Sequence, residues 1–203
     1  MDLILMQFGD LGPKKSSDNL TGTTGSSLIN SGDKSWDVSS IAANSINGVE
    51  FKPDQCVELV SINQGIQQQV TTDVSNSSRT SGRPIITDFT CVKYVDITSP
   101  MMYDHCLRAK PLDSGEGTPT IIYVLRNSGD QLNVIMRFEL RLALISEIQF
   151  QSHPNDMATE QFKLNFTEIA WHHQSQGAGV TNKGFSAAAW SIAKNSPIPA
   201  FSK

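Results

Sequence analysis

Apolar and polar residues alternate along the chain from Gln131 to Phe150. Most residues at odd positions there are polar or charged, whereas seven consecutive even positions are apolar: Leu132, Val134, Met136, Phe138, Leu140, Leu142 and Leu144. Side chains alternate between two faces along a strand, so this spacing predicts a β-strand with one face on a core and a wetter opposite face. A helix would scatter these residues around its axis. Because an unbroken strand of this length would span on the order of 60 Å, we predict one bent strand or two strands, with the bend at Ser146–Glu147.

Shorter stretches of the same kind predict further strands elsewhere. Gly65 interrupts one of them as a bulge would, and a change of phase predicts another bulge near Thr167–Glu168. Residues 127–130, Asn-Ser-Gly-Asp, have the composition of a hairpin turn that leads into the long strand. The additional strands are predicted over residues 2–8, 56–70, 85–96, 120–126, 161–173 and 185–193.

One segment predicts a helix. Thr98-Ser99-Pro100 supplies a hydroxyl cap and a proline that suits the first helical position. Met102 and Cys106 follow at helical spacing, and Pro111 prevents continuation. The helix is predicted at about residues 99–109.

Together these elements predict a mainly β fold, namely a small β-barrel of two packed antiparallel sheets with one flanking α-helix. We expect residues 1–203 to form a single domain. Residues 13–53 are rich in Ser, Thr, Gly and Asn and predict a long loop insertion, which Trp36 could anchor if it docks. Residues 71–84 predict an extended loop, and residues 196–203 a loose C-terminal tail.

Composition narrows the function classes. The 203 residues are 38% hydrophobic, which suits one domain with a core, and the net charge of −4 gives no basic footprint for nucleic acid. No apolar run approaches the roughly 20 residues of a membrane helix, and the start lacks the basic region of a signal peptide. Three cysteines without metal-ligand spacing predict reduced thiols and folding in the cytosol.

The residues that could carry chemistry do not form a reactive constellation. His172 and His173 are neighbours on a strand and face opposite ways, so they cannot chelate one ion; a strand end entering a polar loop is the expected setting. His105 and Cys106 point about 100° apart on a helix. Residues 113–117 lack the strand, helix and lysine of a phosphate-binding loop. We therefore expect no catalytic, cofactor-binding or metal residues and no enzymatic activity.

Several motifs resemble the haemolysin-coregulated protein (Hcp) family, the tube subunits of type VI secretion systems. Asp88–Asp96 followed by Thr98–Met102 is similar to the family's strand with a Lys-aromatic-aliphatic-Asp end and its Ser/Thr-Pro helix start. Leu164–Ile169 resembles the family's Leu-Asn-Phe strand, Leu5–Asp10 its first strand and Gly-Asp turn, and Ala189–Ile192 its last strand. The matches span nearly the whole chain apart from the insertion.

The resemblance implies hexameric rings that stack into a tube, which a contractile sheath expels from the bacterial cytoplasm without a cleaved signal peptide. It implies spike, baseplate and effector proteins as partners, the effectors being held in the lumen, and no nucleic acid or membrane. The strand matching residues 56–66 lines the lumen in the family, which makes Ser61 and Asn63 lumen-facing candidates. The loop matching residues 70–84 reaches a neighbouring subunit or ring. The ring-stacking candidates are Ser75, Asn76, Ser77, Ser78 and Arg79.

Three alternatives remain open at this point. A phage or contractile-injection tail-tube protein shares the barrel. A specialised Hcp-like secreted effector or chaperone would place an activity in the insertion or the tail. A monomeric ligand-binding barrel would have a filled interior and no oligomer.

Overall fold

The structure is a computed structural model that describes residues 2–13, 56–72, 79–128, 131–176 and 182–199. The described residues contain fifteen strands and one helix, α1, at Ser99–Leu107. The strands are β1 (Asp2–Gln7), β2 (Cys56–Leu59), β3 (Ser61–Asn63), β4 (Ile66–Gln67), β5 (Val70–Thr72), β6 (Arg79–Ser81), β7 (Ile85–Ile86), β8 (Phe89–Tyr94), β9 (Thr120–Ser128), β10 (Gln131–Arg141), β11 (Leu144–Gln151), β12 (Thr159–Asn165), β13 (Glu168–Gln176), β14 (Asn182–Ser191) and β15 (Ser196–Pro197). The predicted mainly β fold with a helix at this position is confirmed.

Two antiparallel sheets enclose the core. One has seven strands in the order β15-β14-β13-β10-β9-β1-β2, and the other has four in the order β11-β12-β8-β3. The apolar positions that alternate along each strand meet between the sheets, and Phe89 packs edge-on against Phe138 with ring centroids 5.1 Å apart. The helix contributes Met102 to this core, whose buried members also include Met6, Val57, Leu59, Cys91, Ile122, Leu140, Phe162, Leu164 and Ile169.

The long alternating stretch forms two strands that belong to different sheets. β10 ends at Arg141 in the seven-stranded sheet, and β11 begins at Leu144 in the four-stranded sheet. The predicted position of the bend is therefore wrong: the chain crosses at Leu142–Ala143, where Leu142 adopts a φ of 49°. The phase change at Ser146 is instead a bulge, seen as a register shift between Ile145 and Glu147 against β12.

The chain crosses between the two sheets a second time. The strand predicted over residues 161–173 is divided into β12 and β13, which lie in different sheets. The two crossings touch, because the backbone N–H of Thr167 donates to the carbonyl of Arg141 at 3.1 Å. The predicted bulge at Thr167–Glu168 is therefore a change of sheet.

The start of α1 differs from the predicted cap. The Thr98 hydroxyl donates to the Asp96 carboxylate at 2.5 Å and makes no capping bond, and Pro100 occupies the second helical position. The helix also ends at Leu107, two residues before the predicted end, and Ala109 adopts a φ of 50°. Asp96 thus organises the entry to the helix in place of the threonine.

The ends of the chain and its predicted turn complete the comparison. Ser128 pairs with Gln131, which confirms a hairpin between β9 and β10, although Gly129 and Asp130 lie outside the described residues. The tail is not loose at its start, because β15 pairs with Trp190 and Ser191 of β14. Nearly all of the predicted insertion, including Trp36, lies outside the described residues, so the insertion and the single-domain organisation stay predictions. In the part of the chain that is described, no helix has the length and apolarity to cross a membrane.

Candidate functional site: assembly surfaces

The four-stranded sheet presents a polar outer face, which we call the polar face. Ser61 and Asn63 are exposed on it, whereas Ile62 between them turns inward and packs against the core. Cross-strand partners share a face, so the ladder extends the surface across the sheet. The row that begins at Ser61 continues through Val92, Gln161 and Gln149, and the row that begins at Asn63 continues through Thr90, Lys163 and Glu147. Sequence reasoning found two members of this face and missed the others.

The polar face carries an ion pair between Lys163 and Glu147. Lys163 Nζ lies 2.5 Å from a Glu147 carboxylate oxygen, and the Gln149 amide also donates to Glu147. The hydrogen bond from Lys163 is the main cause that lowers the pKa of Glu147 below its usual range, opposed by partial desolvation. Both partners are more than a third exposed, so water screens the pair. The face is therefore hydrophilic, and Asp88 adds a carboxylate that accepts hydrogen bonds from Asn165 and Ser146.

Both edges of this sheet lack a strand partner among the described residues. β3 pairs only with β8, and β11 pairs only with β12. The first residue of β11 is covered, since Pro111 forms a bridge with Leu144, but the remainder of the strand has no strand beyond it in the described chain. Unpaired strand edges offer backbone donors and acceptors to another chain.

A long ribbon extends from this sheet, and we call its described parts, residues 64–72 and 79–87, the arm. From the β3–β8 pair its backbone ladder continues through Gly65–Thr87, the β4–β7 pair, the Gln69–Gly82 bond and the β5–β6 pair. At its base, the Arg83 guanidinium donates to the Ile192 carbonyl at 2.6 Å. The prediction of an extended loop over residues 71–84 is corrected, because residues 70–72 and 79–81 pair as strands.

The predicted ring-stacking residues lie mostly between β5 and β6 in the sequence. Ser75, Asn76, Ser77 and Ser78 lie outside the described residues. The backbone of Arg79 is placed in β6, opposite Thr72. The role of these residues in stacking stays a prediction.

The motif that carries the family resemblance is a buried ionic cluster. Lys93, fully buried on β8, has its Nζ 2.9 Å from the Asp96 carboxylate and 3.3 Å from the Glu160 carboxylate, and it donates to the Ser99 hydroxyl at 3.1 Å. Desolvation, and then the charge of Glu160 and a hydrogen bond to it, raise the pKa of Tyr103 on α1. The cluster fastens the helix to the four-stranded sheet.

The Gly-Asp turn after β1 lies very close to the backbone of another segment. A Cβ at Gly9 would lie 2.4 Å from the carbonyl oxygen of Leu112, so only glycine fits. The carboxylate of Asp10 accepts the N–H of Ser114 at 2.9 Å. The Gly-Asp turn therefore holds the loop that follows α1 in place. Residues 113–117 have a structural role in that loop.

The histidine pair behaves only partly as predicted. His172 and His173 do face opposite ways, but His172 is buried within β13 with its Nε2 3.2 Å from Glu139, not at a strand end. Glu139 also pairs with the buried Arg137, so the predicted wetter face of β10 is buried too. Cys91 lies in the core, and its burial raises the pKa of the thiol. No cluster of His, Cys, Asp or Glu suited to a metal occurs among the described residues.

The described residues thus form an antiparallel double sheet whose four-stranded half has a polar outer face and no strand partner at either edge. A family model described as "Type VI secretion system effector, Hcp" matches residues 34–173. The chain therefore belongs to the Hcp family of type VI secretion proteins, and its predicted function as a secreted tube protein of that system is confirmed. The family is one of structural tube proteins, not of enzymes.

Solved structures share this fold. A type six secretion system protein superimposes with a TM-score of 0.68 at 11% identity, covering 98% of this chain and 100% of that chain. Hcp1 from Salmonella typhimurium gives 0.60 at 13% identity, with coverages of 97% and 99%. A type VI secretion system effector from Yersinia pestis gives 0.54 at 11% identity, with coverages of 93% and 98%. No curated protein sequence matches the chain significantly.

Proposed function

We propose that the chain forms hexameric rings that stack into the inner tube of a type VI secretion machine. Made in the bacterial cytoplasm, the tube is expelled by the sheath together with spike and baseplate partners, and effectors travel in its lumen. The protein acts by assembly, without catalysis. The observation that carries this proposal is the four-stranded sheet, which combines a polar face with two edges that copies of the chain can join.

The strand count favours ring closure through these edges. Neighbouring strands in the sheet are all antiparallel, so β3 and β11, separated by three alternations, run in opposite directions. When β11 of one copy meets β3 of the next, the new pair is antiparallel as well. A closed ring of such sheets has no lateral edge left and is protected from open-ended aggregation.

The polar face then lines the channel. Ser61 and Asn63 share it with Lys163, Glu147 and Gln149, so the wall would be hydrophilic. Such a wall can accept folded effectors, because it presents hydrogen-bonding groups without a large apolar patch.

Mass and shape test the assembly directly. Size exclusion with light scattering at high concentration should give a particle of about six times 22.2 kDa, with a central hole in negative-stain images. Since rings can dissociate on dilution, the mass should be followed over a concentration series. A protomer that stays monomeric at every concentration contradicts the proposal.

Cysteine pairs test the edges that close the ring. Within one protomer, Ser61 and Gln149 are three strand spacings apart, or about 14 Å, which is too far for a disulfide. In a Cys106→Ala background, Ser61→Cys with Gln149→Cys should therefore give disulfide-linked multimers on non-reducing gels. Because the register between copies is free to shift, Asn63→Cys should also be paired with cysteine at Glu147 and Gln151.

The matched control places the second cysteine inside the sheet. Ser61→Cys with Gln161→Cys uses the same face, but β12 has partners on both sides. It should remain unlinked. Rings that form while no pair between β3 and β11 cross-links would show that closure uses other surfaces.

Replacement of residues 71–82 tests stacking separately. A short Gly-Ser turn in their place should leave the ring mass unchanged, because β3 and β11, the edge strands that would close the ring, lie outside the replaced segment. Tubes in negative-stain images should become rare or very short. Tubes of normal length from this variant would exclude the arm as the stacking element.

A further inference from the structure

The seven-stranded sheet is buried on both of its faces. One face packs on the four-stranded sheet and the helix, and it carries Met6, Ile122 and Leu140. Side chains at the alternate positions point to the opposite side, which we call the back face. Its buried members include Leu5, Ile121, Leu125, Glu139, Ala170 and His172.

No described strand or helix lies over the back face. The four-stranded sheet and α1 turn their buried side chains, such as Met102, into the core on the other side. Yet Gln7, Ile121, Glu139 and Ala170, which are cross-strand neighbours in one row, are each at most 1% exposed. Because this burial is that of a single protomer, it requires a cover from the same chain and not from a partner.

The covered area has visible limits. Leu5 and His172 are buried, but Glu58, the partner of Leu5 on β2, and Ala187, the partner of His172 on β14, are exposed. The cover therefore lies over β1, β9, β10 and β13 and leaves the back face open at both sides along this row.

The position of residues 14–55 in the chain suits this cover. They follow Pro13 and precede Cys56, which pairs with Gln7 of β1, so both of their ends are attached at the β1–β2 side of the sheet. The other internal and C-terminal stretches outside the described residues are each too short to cover four strands; they are residues 73–78, 129–130, 177–181 and 200–203.

The composition of residues 14–55 also suits the back face. Leu5, Ile121 and Leu125 offer apolar area there, and burying such area against other apolar groups is favourable. Residues 14–55 are rich in polar residues but contain apolar side chains that can meet this area, namely Leu20, Leu28, Ile29, Trp36, Val38, Ile41, Ile46, Val49 and Phe51.

We propose that residues 14–55 lie across the back face and form the outer wall of the tube. The cover is a property of the protomer, whereas its place on the outside rests on the proposed function. The polar face and the back face are on opposite sides of the double sheet, so the back face points away from the channel when the polar face lines it. The surface that meets the sheath is then set by residues 14–55 and not by the strands.

A photo-crosslinking residue, p-benzoylphenylalanine, in place of Ala187 tests the cover in an otherwise unchanged chain. Ala187 is exposed at the limit of the covered area, and β14 lies five strand spacings from β2, or about 24 Å. A link from this position therefore cannot be explained by the attachment of residues 14–55 beside β2. The linked peptide, identified by mass spectrometry from the band of monomer mass, should come from residues 14–55.

The matched control places the same residue at Gln161 on the polar face, where no link to residues 14–55 is expected. Links from position 187 that reach only other segments, or only a second chain, would overturn the cover.

Glutamine substitutions compare a covered and an open alanine on the same face. Ala170 is 0% exposed, whereas Ala187 is exposed. Ala170→Gln has to displace the cover, so its melting temperature should fall by about 5 °C or more. Ala187→Gln should stay within about 2 °C of the unchanged protein. If the two variants melted alike, the back face would be open to water and the cover would be wrong.

Gold labelling tests the outward position. In a Cys106→Ala background the remaining native thiols, Cys56 and Cys91, are buried, so maleimide gold reports the introduced cysteine. In end views of rings, gold on Ser26→Cys should lie at the outer circumference, whereas gold on Ser61→Cys should lie in the central hole.

Gold from position 26 in the hole would overturn the outer wall and leave the cover to the cross-link. Rings of the unchanged chain that never form would overturn the proposed function, and the cross-link from position 187 would still decide the cover.

Discussion

Lys93→Ala is expected to lower the free energy of unfolding by about 3–5 kcal/mol. Among the described residues, Lys93 is the only cation in ionic contact with the buried Glu160 carboxylate. The substitution removes this cation. A buried charge without its partner is costly, and Ser99 and Asp96 at the start of α1 would lose the same contact. The melting temperature should fall by about 10 °C for a chain of this size, as followed by circular dichroism.

A double substitution at Lys93 and Glu160 distinguishes the effect of the lost charge from the effect of the lost packing. Lys93→Met with Glu160→Gln removes both charges of the pair and keeps most of the volume, so it should recover a large part of the loss. Leu107→Lys, on the exposed side of α1, should melt within about 2 °C of the unchanged protein. If Lys93→Ala melted within the same range, the cluster would not hold the helix to the sheet.

The strands were predictable because alternation is a local property, but their assignment to sheets was not. The stretch from Gln131 reads as one strand because apolar residues keep the same phase through Leu142 and Leu144. What interrupts it is the left-handed conformation of Leu142 together with a carboxylate from Asp113, about 30 residues earlier. Nothing near Leu142 in the sequence encodes that contact.

The resemblance pointed to two exposed residues, whereas composition was a poor guide to the arm. Ser61 and Asn63, its lumen-facing candidates, are exposed, because Ile62 between them packs against the core. Residues 71–84 contain a single aliphatic residue, Val74, yet the described parts form a ladder, since backbone hydrogen bonds do not depend on side-chain polarity. Composition alone therefore indicated a loop where the chain forms a ribbon.

Burial was predicted wrongly for charged residues that neutralise one another. Arg137 and Glu139 occupy the positions that alternation assigns to a wetter face, yet they are buried beside His172. Their spacing of two residues on one strand places them on the same face, where opposite charges can pair. This spacing was the signal in the sequence that could have indicated the ion pair. Only the family resemblance singled out Lys93 in the sequence, because its acidic partner Glu160 lies far away along the chain, on β12.

Asp113→Ala is expected to lower the free energy of unfolding by about 3 kcal/mol. The buried carboxylate of Asp113 accepts the backbone N–H groups of Leu142 at 2.8 Å, Ala143 at 3.0 Å and Gly115 at 3.0 Å. Alanine leaves these donors without that acceptor at the point where the chain changes sheet, and water has poor access to a buried site. Thermal and urea unfolding should both report the loss, with the same order of variants.

Two further variants at the same crossing identify the cause. Asp113→Asn keeps one oxygen, which can still serve Leu142 and Gly115, but turns an amide donor toward Ala143, so an intermediate loss of about 1–2 kcal/mol is expected. Leu142→Asn suits the positive φ of 49° and keeps the carboxylate, so it should change stability by less than about 1 kcal/mol. Because the crossing sets where β11 begins, Asp113→Ala should also weaken ring formation, whereas Leu142→Asn should not. If Asp113→Ala were no less stable than Leu142→Asn, the carboxylate would not be what fixes the change of sheet.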